Sequence, residues 1–327
     1  MSQAASNPFR AAVVGARRVR QGTGEYLARE LHRAGCQVVG IVGTRPDTLE
    51  EARRGLAERH GIEARGYLTL DELLARERPD VVAICSPSES HLEALEPALR
   101  AGCHVLCEKP LFWDPELTAP EAEAFVAATA EGLVDLAQAH GRHLAVNTQW
   151  PTTLPAFREL HGPWGQPVRE VSMWLGPDDP GTRAVQESAS HLLSLLYALC
   201  GPAGELEAVE ATILGPDAID LAFTYAPEQG PVACHLVLRR SPRPPRPAAY
   251  QIDGRRVDRE IALPGYTFSF VAGERRVPLR DPLALSVEAF LDAARAGRPP
   301  ERAALVQGMR HLHRLMAAVD APAGVGD

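Results

Sequence analysis

Short apolar runs alternate with helix-forming stretches through the first half of the chain. Residues 11–15 form a compact apolar run ending in glycine, residues 25–35 have apolar side chains at helical spacing, and residues 36–43 form a second apolar run. A strand, a glycine-containing loop, a helix and another strand within about 30 residues make a βαβ unit. Further apolar runs follow at residues 81–85, 103–107 and 144–146. Apolar strands that alternate with helices predict a parallel, doubly wound α/β sheet with helices on both faces.

The pattern changes after residue 150, where short segments with alternating apolar side chains predominate. Helices are predicted at residues 186–199, 283–296 and 301–318. Strands in series predict a mostly antiparallel sheet, and they are expected at residues 168–174, 206–214, 218–225, 231–239, 248–253, 257–262 and 266–271. The 327 residues are enough for two domains. We predict an N-terminal Rossmann domain at residues 1–150 and a C-terminal α+β domain with an open sheet at residues 151–327.

Composition argues against several classes of protein. The net charge of −8 gives no electrostatic support for binding nucleic acid or an anionic membrane. No apolar run approaches the ~20 residues of a membrane-spanning helix, and residues 1–10 lack the apolar core of a signal peptide. We therefore expect a cytoplasmic protein that acts on a small molecule.

The six cysteines do not form a metal-binding pattern. None lies in a Cys-x-x-Cys motif, and Cys103 and Cys107 would share one face of a strand while His104 points to the other. We expect free thiols and no metal site.

The loop after the first apolar run is rich in glycine and arginine. The span from Gly15 to Gly24 holds ten residues and is longer than a G-x-G-x-x-G dinucleotide fingerprint. Its place between a strand and a helix lets the backbone approach a pyrophosphate at the helix N-terminus. The alternative is a solvated basic loop whose glycines serve turn geometry alone. We predict cofactor binding by Gly15, Arg17, Arg18, Arg20, Gly22, Thr23 and Gly24.

The end of the second apolar run bears on which dinucleotide binds. NAD enzymes usually place Asp or Glu there to hold the ribose 2′-hydroxyl, whereas NADP enzymes bring an arginine to the 2′-phosphate. Here the run ends in Gly43, Thr44 and Arg45, without an acid. The alternative is that Arg45 only begins the turn that enters a helix at Pro46. We predict that Thr44 and Arg45 favour NADP(H) over NAD(H).

Lys109 is the only lysine among the 34 lysine and arginine residues. It lies between Glu108 and Pro110, directly after a predicted buried strand. A lysine is a compact point charge, whereas a guanidinium is planar, so the two are not interchangeable. Drift toward arginine-rich codons explains the arginines, but it does not explain where the one lysine stands. We predict that Lys109 is functional.

These features resemble the Gfo/Idh/MocA family of oxidoreductases, which includes glucose–fructose oxidoreductase and inositol dehydrogenase. The resemblance covers essentially the whole chain and is densest over residues 81–111, with Ser86-Pro87, His91 and the Glu108-Lys109-Pro110 motif. In that family the lysine of this motif lies beside the nicotinamide and the reacting substrate oxygen. The resemblance implies that role for Lys109, cofactor contacts for Ser86, Pro87, His91 and Glu108, and a homodimer or homotetramer.

The helix predicted at residues 186–199 carries the candidate acid–base group. Glu187 and His191 are four residues apart and share one helix face. Histidine is the usual general acid–base at neutral pH, and a carboxylate one turn away can orient it. The family motif here is D-x-G-x-H with a later aspartate, whereas this chain has Glu187, Ala189, His191 and Ser194. The alternative is a structural histidine, but we predict that His191 and Glu187 are catalytic in a remodelled pocket.

Four further residues are candidates for the substrate pocket. Gln149 and Trp150 stand where the family often carries an arginine after the last Rossmann strand. A neutral amide and an indole favour a less anionic, more aromatic or apolar substrate. Trp174 and Arg183 are also candidates, although a structural role is the simpler interpretation of each.

The sequence thus predicts an NADP(H)-dependent oxidoreductase with two domains. Hydride would pass between the nicotinamide and a C–O carbon of a small polar metabolite. One alternative is an imine reductase of small-molecule biosynthesis, which the altered helix motif permits. An alternative of another class is a non-catalytic NADP-binding regulatory protein, which the change from aspartate to Glu187 and the enlarged glycine loop support.

Overall fold

The computed structural model describes residues 8–17, 22–117, 119–263 and 265–320. The chain forms two compact units. The first comprises the described residues up to Trp113 with Glu131–Asn147 and Ser286–Glu301, and the second comprises Asp114–Ala130, Thr148–Leu285 and the described residues from Arg302 onward. Unlike the predicted division at residue 150, this one assigns residues 114–130 to the second unit and 286–301 to the first. The latter segment packs within the first unit through Arg295, whose guanidinium lies 5.6 Å from the Phe9 ring centroid.

The first unit is built on a parallel sheet. Its described strands are β1 (Arg10–Val14), β2 (Gln37–Val42), β3 (Arg65–Tyr67), β4 (Val81–Ile84), β5 (His104–Cys107) and β6 (Leu144–Val146). They lie in the order β3-β2-β1-β4-β5-β6, and every neighbouring pair is parallel. This arrangement confirms the predicted doubly wound fold. The strand order reverses between β1 and β4, and ligands of such sheets bind at the carboxyl ends of the strands beside this switch point.

Helices connect the strands of this sheet. They are α1 (Gly24–Arg33), α2 (Pro46–His60), α3 (Leu70–Glu77), α4 (His91–Arg100) and α5 (Glu123–Ala139). Helix α8 (Pro282–Arg295) lies later in the chain, and most of it belongs to this unit without connecting two of its strands. The N-cap of α3 is Thr69, whose hydroxyl accepts a hydrogen bond from the Glu72 amide at 3.3 Å. Asp71 lies in the first turn of this helix.

The second unit is built on a mostly antiparallel sheet. Its described strands are β7 (Glu170–Leu175), β8 (Glu205–Gly215), β9 (Ala218–Ala226), β10 (Val232–Arg239), β11 (Ala248–Ile252), β12 (Arg255–Ala262), β13 (Thr267–Ala272) and β14 (Arg275–Leu279). The order is β14-β13-β12-β11-β7-β10-β9-β8, and β7 and β10 are the one parallel pair among these described strands. The predicted α+β class is confirmed.

The helices of the second unit are α6 (Leu154–His161), α7 (Gly181–Cys200) and α9 (Arg302–Asp320). Alternate residues of β9, from Ile219 to Tyr225, are buried and define the covered face of the sheet. Helix α7 begins five residues before the predicted start at 186, because Pro180 acts as its N-cap instead of breaking it. Among the described residues, no helix has both the length and the apolarity needed to cross a membrane.

Buried His311 predicts a pH dependence of stability. Its side chain is fully buried on α9, and its Nδ1 lies 2.8 Å from the Tyr197 hydroxyl. Burial lowers the pKa of His311 to about 4. The unfolded chain, with a histidine pKa of about 6.5, therefore binds more protons below that pH. The contribution of neutral His311 to the free energy of unfolding is fully present above pH ~6.5. It is lost as the pH falls toward 4, and the loss is about 2 kcal/mol at pH ~5.

Urea unfolding at several pH values tests this prediction. His311→Gln should have a smaller loss of unfolding free energy between pH ~7.5 and ~5 than the wild type. His235→Gln is the matched control, because His235 is an exposed histidine on β10. If both variants keep the wild-type pH dependence, His311 does not contribute to it.

Candidate active site

Two glycines allow close backbone contacts, one directly after β1 and one at the start of α1. Gly15 has φ +81°, and a Cβ atom there would lie 2.8 Å from the Ser86 amide nitrogen at the end of β4. A Cβ atom on Gly24, the first residue of α1, would lie 2.9 Å from the Ala16 Cα. Both positions accept only hydrogen, which matches the glycine roles of a dinucleotide fingerprint: a tight turn and close helix–strand packing. The residues present therefore fit a bound dinucleotide at this turn.

The first turn of α1 contains an acid that does not face the turn. Glu25 is buried and accepts hydrogen bonds from Arg59 at 2.9 and 2.7 Å, and it lies 3.0 Å from His60 Nε2. These partners belong to α2, so they hold the carboxylate against that helix. The helix N-terminus thus keeps its positive end for a phosphate.

The remaining predicted residues of the glycine loop differ in their surroundings. Arg18 and Arg20 lie outside the described residues. Arg17 is exposed and pairs with Glu51 at 3.2 Å. Gly22 and Thr23 are half-buried, and Thr23 is the N-cap residue of α1. To bind a phosphate, Arg17 would have to give up its ion pair with Glu51. This pair is exposed to solvent, so breaking it costs little.

Thr44 and Arg45 are exposed after β2, as a 2′-phosphate site requires. Arg45 is also the N-cap residue of α2, so it does enter a helix as the alternative interpretation stated. Its Nη2 lies 2.5 Å from a carboxylate oxygen of Asp47, and this contact lowers the pKa of Asp47. A bound 2′-phosphate would compete with Asp47 for Arg45.

Glu108 and Lys109 follow β5 at the same edge of the sheet. Glu108 Oε1 accepts a hydrogen bond from Asn147 Nδ2 at 2.5 Å. Asn147 is buried directly after β6, and its amide donates to the Cys107 carbonyl at 2.7 Å. Lys109 is half-buried. The strand that precedes Lys109 is thus tied to its neighbour, which fixes where the lysine leaves the sheet.

His91 has a different role from the cofactor contact that the sequence predicted. Its side chain is fully buried. Its Nε2 lies 2.9 Å from the Ser86 carbonyl, and its Nδ1 lies 3.0 Å from the Pro110 carbonyl and 3.2 Å from that of Leu111. His91 therefore positions two loops, one after β4 and one after β5, and cannot itself touch a ligand. Ser86 and Pro87 lie in the first of these loops, which Ser90 closes with its hydroxyl.

Helix α7 places its three candidate residues on one face. Arg183, Glu187 and His191 follow each other at intervals of four, and the last two are half-buried. The His191 ring packs edge-on against Trp150, with centroids 6.2 Å apart. Ser194 stands at the family's second acid position, but its hydroxyl donates to the His191 carbonyl at 2.9 Å. The Ser194 hydroxyl therefore bonds to the backbone of its own helix and does not take the place of the acid.

Trp150 is the centre of an aromatic group in the second unit. It is buried, and its ring centroid lies 5.9 Å from that of Tyr250, at right angles. Tyr250 Oη in turn lies 3.3 Å from the Thr153 hydroxyl. The neighbouring Gln149 is half-buried, and its carbonyl accepts from the Thr152 hydroxyl at 2.6 Å.

Trp174 does not belong with these residues. In the pairing of β7 with β11, Trp174 stands opposite Ala249, whereas Tyr250 stands opposite Met173. Residues directly opposite share a face, so Trp174 and Tyr250 lie on different faces of the sheet. Trp174 instead stacks with the Arg256 guanidinium at 4.3 Å. Trp174 is therefore separate from the aromatic group of Trp150 and Tyr250, and its substrate contact stays a prediction.

Of two arginines in this unit, Arg183 was a candidate from the sequence but is exposed, whereas Arg259 was not a candidate but lies against Trp150. Arg183 is about half exposed, and its Nε lies 3.7 Å from Asp179. Arg259 was not singled out, yet its guanidinium lies 5.5 Å from the Trp150 ring centroid. Its signal in the sequence is its alternation with Val257 and Ile261, which places Arg259 on the strand face that these apolar residues share with Arg255.

The described cysteines are free, and most are buried. Within the described ranges, no group of three or more His, Cys, Asp or Glu side chains could hold a metal ion.

Comparison with protein families gives a match in the first half of the chain. Residues 9–148 match the model of the Gfo/Idh/MocA group, described as an oxidoreductase family with an NAD-binding Rossmann fold. These residues, fewer than half of the chain, match that family. The resemblance inferred from Glu108-Lys109-Pro110 and the preceding strands is thereby confirmed.

Similar proteins extend the likeness of fold to the whole chain. D-glucoside 3-dehydrogenase of Escherichia coli is 36% identical over 111 residues, which are 34% of this chain and 30% of that protein. The structure of UDP-N-acetylglucosamine 3-dehydrogenase from Acidithiobacillus ferrooxidans has a TM-score of 0.68 at 23% identity, covering 96% of this chain and 98% of that one. A 3-ketoreductase from Actinomadura kijaniata, in complex with TDP-benzene and NADP, has a TM-score of 0.66 at 21% identity, covering 95% and 96%.

Proposed function

We propose that this protein is an NADP(H)-dependent oxidoreductase that transfers hydride between the nicotinamide and a C–O carbon of a small polar metabolite. The observation that supports this most is the position of Lys109, the only lysine, after β5 and close to the switch point of a sheet whose glycine turn accepts no side chains. The matched D-glucoside 3-dehydrogenase is named for a sugar substrate. We therefore propose a sugar or polyol as the substrate class.

Each candidate residue has a defined task in this proposal. When bound, the nicotinamide supplies C4 as the hydride donor or acceptor. Lys109 stabilises negative charge on the substrate oxygen. His191 gives a proton to this oxygen during reduction and takes it back during oxidation, and Glu187, one turn earlier on α7, orients His191. The expected homo-oligomer and cytoplasmic location stay predictions.

The preference for NADP(H) rests on Thr44 and Arg45. Arg45→Ala should weaken NADPH binding about tenfold and leave NADH binding within about twofold, because only NADPH carries the 2′-phosphate. Titration of each nucleotide, followed by its fluorescence, measures both affinities. Asp47→Asn is the matched control: it removes the carboxylate that competes for Arg45, so NADPH should bind more tightly. Equal losses for both nucleotides in Arg45→Ala would contradict the preference.

The same titration separates the alternatives. If neither nucleotide binds, both enzyme interpretations are wrong. If NADPH binds but a panel of alcohols, ketones and cyclic imines gives no turnover, the regulatory alternative is favoured. Turnover of cyclic imines without turnover of ketones favours the imine reductase.

A further inference from the structure

Arg259 lies on the helix-covered face of the sheet in the second unit. On β12 it shares a face with Val257, which is fully buried. Across the sheet it stands opposite Ala248 of β11 and Phe270 of β13, and both of these are buried as well. A guanidinium at this position lies among apolar side chains, where arginine is rare unless it has a partner.

The contacts of this guanidinium with the described residues leave part of it unsatisfied. Its Nη2 donates to the Arg246 carbonyl at 3.0 Å, and its face is turned to Trp150. Its Nε is buried and has no hydrogen-bond partner within the described residues. Over the same residues no Asp or Glu forms an ion pair with Arg259, whereas the neighbouring Arg246 pairs with Asp178 at 3.1 Å.

The charge of Arg259 persists despite its burial. Burial lowers the pKa of Arg259 to about 10, with a smaller opposing effect of Tyr266. The side chain is therefore protonated at neutral pH. A buried cation without an anion is unfavourable, and a well-placed carboxylate with additional hydrogen bonds removes that penalty. The residue as a whole keeps partial exposure, although its Nε is buried.

We propose that Arg259 binds a carboxylate group of the substrate. The inference deepens the proposed function and rests on it, because the substrate is the ligand in question. Trp150 packs against both Arg259 and the candidate acid–base group His191. Its ring centroid lies 6.2 Å from that of His191 and 5.5 Å from the Arg259 Cζ. Nε with one Nη of a guanidinium donates in parallel to the two oxygens of a carboxylate.

One positive charge favours a carboxylate over a phosphate. A phosphate ester carries up to two negative charges and commonly requires more than one cation or a helix N-terminus. Arg246 is already neutralised by Asp178. The aromatic surroundings of Trp150 and Tyr250 also disfavour a dianion. The proposal reverses the less anionic substrate expected from Gln149 and Trp150, because the arginine comes from β12 instead of the segment after β6.

Three probes with the same sugar ring test the proposal. D-glucuronate, D-glucose and D-glucose 6-phosphate differ at C6 in carrying a carboxylate, an alcohol or a phosphate ester. Binding is measured by calorimetry with NADPH present, at constant ionic strength, on wild type and on Arg259→Met. We expect D-glucuronate to bind wild type at least about tenfold more tightly than D-glucose, and Arg259→Met to abolish that difference.

Arg256→Met is the matched control. Arg256 is also on β12 and also stacks on a tryptophan, Trp174, but it lies on the other face of the sheet. It should keep the wild-type preference for D-glucuronate. In addition, thermal unfolding without ligand should show Arg259→Met to be at least as stable as wild type, because the substitution removes an uncompensated buried charge.

Four results would contradict either the proposed carboxylate site at Arg259 or the proposed function. If Arg259→Met unfolds at a clearly lower temperature, the guanidinium is structural and the proposal is wrong. It is also wrong if no probe binds in a manner that depends on Arg259. Tighter binding of D-glucose 6-phosphate with the same dependence on Arg259 replaces the carboxylate by a phosphate ester. Failure of NADPH to bind contradicts the proposed function instead, and it is measured separately.

Discussion

Replacing Lys109 by arginine should lower turnover about 10²–10³-fold, the effect of removing one donor from a preorganised charge-stabilising site. Affinity for NADPH should stay within about threefold, since that change corresponds to well under 1 kcal/mol. The reason is shape, because the variant keeps the charge. An ammonium group is a compact donor, whereas the guanidinium is broad and planar.

The surroundings of Lys109 leave little freedom to adapt. On one side Glu108 is held by Asn147, and on the other the Pro110 carbonyl is held by His91. Lys109→Met, which keeps the chain length without charge, should be at least as slow as Lys109→Arg. Steady-state kinetics and NADPH titration measure the two effects.

Arg100→Lys is a suitable control for the exchange itself. Arg100 is an exposed residue at the end of α4 that pairs with Glu96 at 2.9 Å. This variant should keep wild-type kinetics. If Lys109→Arg also turns over at the wild-type rate, a central catalytic role of Lys109 is excluded.

The elements that were predicted from the sequence are those with strong periodic patterns. The missed strand β3 has only the residues Arg65, Gly66 and Tyr67, of which two are exposed, so no apolar run marks it. Strand β14 contains Pro278, which is tolerated because β14 lies at the edge of its sheet. Helix α6 has Pro155 in its first turn, where a helix lacks the amide hydrogen bond in any case.

Site residues were harder to predict because their roles depend on which face of an element is covered. Trp174 and Arg259 both lie on strands, and alternation assigns each a face relative to its neighbours. Alternation does not say which face the helices cover. Only the structure shows that Arg259 lies on the same side as Trp150, whereas Trp174 lies on the other side and stacks with Arg256. The resemblance implied a cofactor contact for His91, but only the tertiary fold shows that its ring nitrogens face backbone carbonyls.

Replacing His191 by glutamine should lower turnover about 10²–10⁴-fold, which is the usual contribution of a general acid–base. Glutamine has similar polarity and can pack against Trp150, but it cannot exchange a proton. His161→Gln is the control, because His161 is a half-buried histidine at the end of α6 whose ring packs against another aromatic side chain, Phe157. That variant should keep the wild-type rate. Wild-type turnover in His191→Gln would leave His191 as a structural residue.

The partner of His191 can be tested through coupling. Glu187→Gln should lower kcat about tenfold with KM unchanged, since it loses roughly 1.4 kcal/mol of transition-state stabilisation. If Glu187 acts only by orienting His191, adding Glu187→Gln to His191→Gln causes no further loss, because the group it positions is already absent. Additive losses would instead mean that Glu187 contributes separately. Glu187 and His191 would then act as two independent groups of the altered motif, in which glutamate replaces aspartate and Ser194 bonds to the helix backbone.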